Sequence, residues 1–249
     1  MTDATRLWPA DDAYAHWSAL VRALAPELPA ARPCVLAIRG VAPGAAETHG
    51  LVARPAYDDT LVLLVDGTAR AFPGCTHAYQ RNSRESPDVT GDGVGDVATI
   101  RPGRYQLVAL RAGADPVLHV LALDGADRIP CWRDADHDGL YSADERAASE
   151  ARRKGPQVDG GGDFASSVLL HPGYDSGKSS IACQTAHLAD VAACARLGTL
   201  DYLLVDAADA LAACGLSNAD RAQAEAAVAL SVDAALRETE PAPPTERAT

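Results

Sequence analysis

Two residues whose side chains could perform nucleophilic chemistry, His171 and Cys183, lie twelve positions apart in the segment VLLHPGYDSGKSSIACQT. The apolar run before the histidine predicts a strand, and the polar, glycine-containing loop after it could bring imidazole and thiol together. The thiolate is the attacking species in cysteine catalysis, yet a free thiol with a pKa of about 8.5 is only slightly ionised at neutral pH. A neighbouring imidazole supplies the missing base, so the pair predicts covalent cysteine catalysis.

Small residues surround the cysteine. Ser179, Ser180 and Ala182 would let backbone N–H groups approach a developing oxyanion. The alternative interpretation makes Cys183 a small buried hydrophobic residue and His171 a core histidine with satisfied hydrogen bonds. We favour catalysis, because small residues before a cysteine suit an oxyanion site better than a packed core.

A second histidine could serve as the base. His187 lies four residues after Cys183, so the two would share one face if a helix began at the cysteine. The N-terminus of such a helix would also favour the thiolate. We prefer His171, because it ends an apolar strand and because backbone carbonyls near Pro172 and Gly173 could hold its second ring nitrogen, whereas His187 belongs to a helix start.

This segment resembles the catalytic motif of the L,D-transpeptidase family, a histidine on a strand followed by Ser-x-Gly-Cys. The resemblance is stronger to a divergent branch of phage and secreted bacterial proteins, whose nucleophile motif reads roughly SSxGCQT. The matching residues are Ser179, Ser180, Cys183, Gln184 and Thr185. Looser matches follow upstream, so that the resemblance spans residues 35–205: IRG at 38–40, YDDTLVLL at 57–64, RPGRYQ at 101–106 and WRDADHDG at 132–139.

The chain departs from the family pattern at two positions. Ala182 stands where the family has glycine, and Thr185 stands where enzymes of the main branch have arginine or asparagine. The alanine could tighten the turn before the nucleophile. The threonine leaves the substrate carboxylate without its usual partner.

The resemblance implies a β-rich transpeptidase fold that acts on the stem peptides of peptidoglycan. Cys183 would attack the carbonyl of the third, L-centred stem residue and release D-alanine, with His171 as base. The resulting thioester would pass to an amine or to water. Ser180 would complete the catalytic residues, and the implied substrate-binding residues are Gly173, Ser179, Ala182, Gln184 and Thr185.

An acidic segment predicts a calcium site. Residues 134–145 match the pattern D-x-D-x-D-G-x5-E, which supplies hard oxygen ligands around a glycine turn. The expected ligands are Asp134, Asp136, Asp138, Glu145 and the backbone carbonyl of Leu140. The preceding ALDGADRIPCWR contains glycine and proline, so we expect no entering helix; the alternative is an acidic surface turn. Residues 88–96 form a weaker loop of the same kind, because Thr90 replaces a carboxylate.

Composition limits the partners. The 249 residues include 22 Lys and Arg against 34 Asp and Glu, a formal charge of -12, so nucleic acid and anionic membranes are poor partners. No stretch reaches the roughly 18 apolar residues of a membrane span, and the N-terminus lacks the pattern of an export signal. We therefore expect a soluble protein that reaches the periplasm or cell wall by a non-classical route, as an antibacterial effector or lysis protein, with an immunity or delivery protein as a further partner. Six cysteines without a CxxC pair argue against structural zinc, and we expect no organic cofactor.

The pattern of elements predicts an α+β fold with a predominantly antiparallel sheet and helices at both ends. We expect helices at 11–25, 142–154, 207–214 and 218–236, strands at 34–38, 61–66 and 202–205, and a hairpin from 105–110 and 117–123. The expected divisions are an N-terminal helical segment (1–32), a catalytic domain (33–206), C-terminal helices (207–237) and a disordered tail (238–249). The competing function is a non-catalytic, calcium-stabilised module that binds cell wall or a partner.

Overall fold

The centre of the described structure is a closed barrel of eight strands. The computed structural model describes residues 13–28, 32–45, 48–154 and 163–214. The strands are β1 Cys34–Arg39, β2 Asp59–Val65, β3 Thr68–Cys75, β4 Ala98–Ile100, β5 Gly103–Arg111, β6 Val117–Leu121, β7 Ile129–Arg133, β8 Phe164–Ala165, β9 Leu169–Pro172, β10 Gln184–Ala186 and β11 Thr199–Asp206. Within these described residues, eight strands close in the order β1, β11, β5, β6, β9, β10, β3, β2, and β4, β7 and β8 form a separate small sheet.

Four helices of the described residues pack against the two sheets. They are α1 Tyr14–Leu24, α2 Ala143–Lys154, α3 Leu188–Ala195 and α4 Ala207–Ala213. None of these described helices has the length and apolar character that crossing a membrane requires.

Strand β1 shows why the core divides into two layers. Its side chains alternate, so Val35 and Ala37 join the main core while Leu36 and Ile38 pack beneath α1 and α4. Both faces are therefore buried, which explains an uninterrupted apolar run. Trp17, fully buried, anchors α1 on the second layer.

The α+β expectation is confirmed: the structure is rich in antiparallel strand pairs and carries helices at each end of its described part. The hairpin of β5 and β6 forms as predicted, with a register shift between Ala109 and Arg111. The predicted helix at 218–236 and the tail at 238–249 lie outside the described residues, as do residues 1–12.

Several elements escaped the sequence analysis. The strands β3, β4, β7 and β10 were not predicted. Of α3, only the helix start at His187 was predicted, and it is confirmed, because His187 is the N-cap of that helix. Strand β10 has three residues, too short for a recognisable period. Its pairing with β9 is parallel, with Thr185 beside His171 and Gln184 beside Leu170. This pairing sets the geometry of the candidate site.

Candidate active site

Cys183 immediately precedes β10, at the rim of a cleft of about 760 Å³. Extending the strand register by one residue sets it beside Leu169, and so on the same face as His171, two positions along. The residue is partly exposed. A substrate in the cleft could therefore reach the thiol. The described lining residues are Gln80, Ser83, Glu85, Ser86, Pro87, Ala98, Arg133, Phe164, Ala165, Ser166, Ser167, Ser179, Ile181, Ala182 and Cys183.

The turn before the cysteine is held from three sides. The Ser180 hydroxyl donates to the carbonyl of Cys183 (2.8 Å), and the Ser180 carbonyl accepts from the Tyr79 amide (2.9 Å). The Ile181 carbonyl accepts from the Ala98 amide (3.0 Å). Ser180 is 2% exposed, so it can position the nucleophile but not contact a substrate through its hydroxyl in this conformation.

No helix begins at the cysteine, so the condition under which His187 would share a helix face with Cys183 is not met. Strand β10 follows Cys183, and α3 begins only at Leu188. Helix formation is prevented because β10 is used to join β9 to β3, and the ladder fixes residues 184–186 as extended. The thiol therefore receives no stabilisation from a helix N-terminus.

His171 is fixed as a neutral base. Its Nδ1 lies 2.7 Å from the Pro172 carbonyl, which can only accept, so the ring proton resides on Nδ1 and Nε2 carries the lone pair. No described residue forms a hydrogen bond with Nε2. Burial, with a contribution from Lys178, lowers the pKa of His171, so the imidazole is neutral near pH 7. The expectation that a backbone carbonyl near Pro172 orients the ring is confirmed.

The thiol and the imidazole are not joined in this conformation. No hydrogen bond links the Cys183 sulfur to any described imidazole. Burial raises the pKa of Cys183, and a backbone interaction with Leu169 opposes this only in part. The cysteine is therefore a resting thiol, and activation requires its side chain to turn towards Nε2. Such contacts are often long in unliganded sites.

The rival histidine is occupied elsewhere. His187 Nδ1 lies 2.7 Å from the Asp175 carboxylate, and the ring meets Tyr57 edge to face at 4.5 Å. Cys183 and His187 are separated by a strand and not by a helical turn, so the two residues do not share a helix face.

The remaining substrate-binding candidates divide into two groups. Ser179, which accepts a hydrogen bond from Gln80 (2.6 Å), and Ala182 line the cleft. Gln184 and Thr185 are fully buried. A substrate cannot contact the side chains of this second pair in the present conformation.

These buried residues support the strands that carry the site. The Gln184 amide oxygen accepts from the Tyr202 hydroxyl (3.0 Å), and Thr185 Oγ1 bonds the Tyr79 hydroxyl. Gly173 is also buried, and a Cβ there would collide with the hydroxyl groups of Tyr57 and Tyr79. Only glycine fits, so its role here is close packing.

The acidic loop brings three carboxylates together. Oxygens of Asp134, Asp136 and Asp138 lie within 4.8 Å of one another. Asp134 is fully buried, and its Oδ1 has no hydrogen-bond partner among the described residues. Burial, with repulsion from Glu145 and Asp138, raises the pKa of Asp134 to about 7. A cation would satisfy this oxygen and offset the repulsion, so the residues fit a hard divalent ion.

The other expected ligands stand apart from that group. Glu145 accepts from the Ser142 amide (2.8 Å) and the Ala135 amide (2.6 Å), while the Ser142 hydroxyl accepts from the Glu145 amide (3.2 Å). This is a capping box that starts α2. Leu140 forms a backbone bridge to Val52. As expected, no helix enters the loop, because β7 leads into it.

The weaker loop at 88–96 folds as a turn held by its own backbone. Asp88 accepts from the amides of Gly91 (2.6 Å) and Gly93 (2.8 Å). His137, from the acidic loop, sets its Nε2 3.4 Å from Asp92 and 3.6 Å from Asp96. The loop at 88–96 and the acidic loop at 134–145 are therefore in contact through the His137 imidazole, which lies between the carboxylates of Asp92 and Asp96.

A second cysteine–histidine pair was missed by the sequence analysis. Cys75 Sγ lies 3.4 Å from His77 Nδ1, and His77 Nε2 lies 3.3 Å from the Asp58 carboxylate. Cys75 is 0% exposed and His77 1%. The only signal was the Cys-x-His spacing, which by itself is common. We call Asp58, Asp59, Cys75 and His77 the buried cluster.

The buried cluster is saturated with hydrogen bonds. Asp59 accepts from the amides of Gly40 and Thr76, both at 2.7 Å. Burial alone would lower the pKa of His77, but Cys75, Asp58 and Asp59 raise it well above its usual value. The four side chains offer ligand atoms within 4.8 Å of one another, although each is already satisfied by protein groups.

Comparisons with protein-family models, with curated proteins and with solved structures find no match to this chain.

Proposed function

We propose that this protein is a cysteine-dependent enzyme of the L,D-transpeptidase type, acting on peptidoglycan stem peptides with Cys183 as nucleophile and His171 as base. The observation that carries the proposal is a partly exposed cysteine that lines a cleft, next to a strand that carries a neutral, oriented imidazole. The motif resemblance at residues 171–185 supplies the substrate class.

The residues suggest how the reaction would proceed. Nε2 of His171 takes the thiol proton as the sulfur attacks the carbonyl of the third stem residue. The imidazolium then returns that proton to the amine of the departing D-alanine, leaving a thioester on Cys183. An amine or water attacks the thioester and releases the product. Burial makes His171 a weak base, which suits a group that must release its proton again within one turnover.

Calcium in the acidic loop is a second part of the proposal. Asp134, Asp136 and Asp138 would hold the ion, with Glu145 joining if its capping box opens. The loop follows Arg133, whose guanidinium donates to the Asp96 carbonyl (2.9 Å) and the Phe164 carbonyl (3.0 Å) on the cleft wall. An ion would therefore stiffen the wall of the cleft that contains Cys183.

The decisive experiment is incubation of the purified chain with tetrapeptide and cross-linked muropeptides, followed by identification of products by mass. Loss of D-alanine with or without transfer to an amine supports the proposal, and the product distinguishes transferase from carboxypeptidase and endopeptidase. Trapping a thioester adduct on Cys183 would identify the nucleophile. Unchanged muropeptides at catalytic and at stoichiometric enzyme would contradict it.

The competing function is a calcium-stabilised binding module with an inert Cys183. The raised pKa of Cys183 and the missing hydrogen bond to His171 favour it. A thiol-reactive probe separates the two proposals. Alkylation of Cys183 that is faster than that of a free cysteine at pH 7 supports the enzyme, whereas slow alkylation together with muropeptide binding and no turnover supports the module.

A further inference from the structure

A second cavity, of about 230 Å³, opens where β1 ends and β11 passes into α4, with Arg39 and Arg146 in its wall. Two guanidinium groups on one small cavity are unusual in a chain whose formal charge is -12. The described lining residues are Arg39, Gly40, Thr48, His49, Gly50, Leu51, Arg146, Asp206, Ala207 and Ala208.

Three hydrogen bonds fix the Arg39 guanidinium, and one of its nitrogens, Nη1, makes none to the described residues. The side chain is 3% exposed, and its Nε and Nη2 donate to Thr76 Oγ1, the Thr76 carbonyl and the Ile100 carbonyl, each at 2.9 Å. Its Nη1 is buried without a hydrogen-bond partner among the described residues. Buried donors are seldom left unpaired. The free edge lies on the side of Asp206, which also lines the cavity.

Arg146 presents a second guanidinium to the same carboxylate. Its Nε donates to the Tyr141 carbonyl (2.8 Å), and the group stacks over the Trp132 ring at 4.4 Å from the centroid. Its Nη1 lies 3.9 Å from Asp206 Oδ2, while Arg39 Nη1 lies 3.7 Å from Oδ1. Both separations are too long for direct hydrogen bonds. Asp206 therefore offsets one of the two charges and satisfies neither guanidinium.

The remaining ionisable group of the wall is occupied. His49 directs Nδ1 to the Gly50 carbonyl (2.9 Å) and Nε2 to the Asp58 carbonyl (2.6 Å). It adds no negative charge to the cavity. Among the lining residues two guanidinium groups therefore face one carboxylate, while the carboxylate of Asp59 lies behind the wall, where it accepts from the Gly40 amide (2.7 Å).

We propose that this cavity binds a small oxyanion, the phosphate or carboxylate group of a ligand, at Arg146 and, once the Asp206 side chain is displaced, at the buried Nη1 of Arg39. Planar guanidinium groups match the geometry of such oxyanions and form strong charge-assisted hydrogen bonds with them. A volume of about 230 Å³ admits a phosphate or a short carboxylate but is below the usual range for drug-sized ligands. The site does not depend on the catalytic proposal, because it shares no lining residue with the cleft of Cys183.

Calorimetric titration of the full chain with inorganic phosphate, and separately with acetate, tests the proposal at fixed ionic strength. We expect saturable binding of at least one of the two anions, and the preferred one identifies the type of oxyanion. Arg146→Gln should weaken binding by about tenfold or more, the effect of one charge-assisted hydrogen bond. Asp206→Asn should strengthen it severalfold, because a competing carboxylate is removed.

Arg111→Gln is the matched control, since Arg111 also pairs with an aspartate (3.2 Å) but lines neither cavity. It should bind as the unsubstituted chain does. The proposal is overturned if neither anion binds saturably to the unsubstituted chain or to Asp206→Asn, or if Arg146→Gln and Arg111→Gln bind equally well. Should Arg146→Gln fail to fold, the direction of the Asp206→Asn effect decides: weaker or unchanged binding refutes the site.

Discussion

Two cysteine–histidine pairs lie close together in this barrel and differ in almost every property that matters for chemistry. Cys75 and His77 are joined by a hydrogen bond and completed by Asp58, yet they are shut away from solvent. Cys183 and His171 are not joined, yet the thiol lines a large cleft. The buried pair has the contact without access, and the other pair has access without the contact.

The charge states of the two histidines also differ. Contacts with Cys75, Asp58 and Asp59 raise the pKa of His77, whereas burial lowers the pKa of His171 and outweighs the opposite effect of Asp115. A protonated imidazole cannot accept a proton, so His77 is unsuited to general-base catalysis. His171 is neutral and has a free lone pair on Nε2. Access and protonation state, more than static hydrogen-bond geometry, therefore separate the candidate site from the buried cluster.

The largest effect should come from removing the accessible thiol. Cys183→Ala should reduce turnover of muropeptides by at least about 10³-fold, because nucleophile removal eliminates the covalent route. Cys75→Ala is the matched control and should keep turnover within about threefold while lowering stability. Turnover is followed by mass analysis of products and folding by circular dichroism. Equal losses in the two variants would remove the functional distinction between the pairs.

A substitution in the buried cluster should lower the free energy of unfolding. Asp58→Asn leaves the His77 charge without its carboxylate and should cost about 3 kcal/mol of unfolding free energy. The pKa of His77 is raised in the folded state. Its contribution to the free energy of unfolding is therefore complete at a pH below the ordinary histidine pKa, and it is lost as the pH rises through the raised pKa. Denaturant titrations between pH 6 and pH 9 measure this decline. Asp127→Asn, which removes the exposed partner of His119 (3.0 Å), is the control. A pH-independent difference between Asp58→Asn and the unsubstituted chain would contradict a charged His77.

Activation of the thiol should depend on one histidine. His171→Ala should raise the apparent pKa of Cys183 in pH-dependent alkylation and slow acylation by at least about 10²-fold. His187→Ala, which loses only the Asp175 contact and the stacking on Tyr57, should do much less. Alkylation is mapped by mass spectrometry because Cys214 is also partly exposed. The reverse ranking would make His171 structural.

Calcium should stabilise the acidic loop next to the cleft that contains Cys183, and it should leave the buried cluster unaffected. At a hundredfold excess over its Kd, calcium should add about 2.7 kcal/mol, or roughly 5–10 °C in melting temperature. Without calcium, the raised pKa of Asp134 means that stability falls as pH rises from about 4 to about 7, and the ion should remove this decline. Asp134→Asn should remove the calcium response, whereas Asp88→Asn should keep it. If the melting temperature is the same in calcium and in chelator, and elemental analysis finds no metal, the acidic loop does not bind calcium.

The local pattern predicted a good part of this fold. Apolar runs identified β1, β2 and β11, and the Ser-x-x-Glu capping box at 142–145 lies where the predicted helix α2 begins. The short strand β10 could not be recognised, because three residues carry no period and their extended form is imposed by β9 and β3. For the same reason the sequence left open whether a helix begins directly after Cys183.

The sequence by itself determined which residue types were available: a thiol after a small-residue turn, a histidine ending an apolar strand, and three alternating aspartates. Only the tertiary structure decided their states. Parallel pairing aligned His171 with Thr185, the Pro172 carbonyl selected the tautomer, and burial set the directions of the pKa shifts of His171, Cys183 and Asp134. The tertiary structure also brought Cys75, His77 and Asp58 into contact and placed Arg39 and Arg146 in the wall of one cavity. Such properties depend on desolvation and on contacts between residues distant in the chain, which no local pattern encodes.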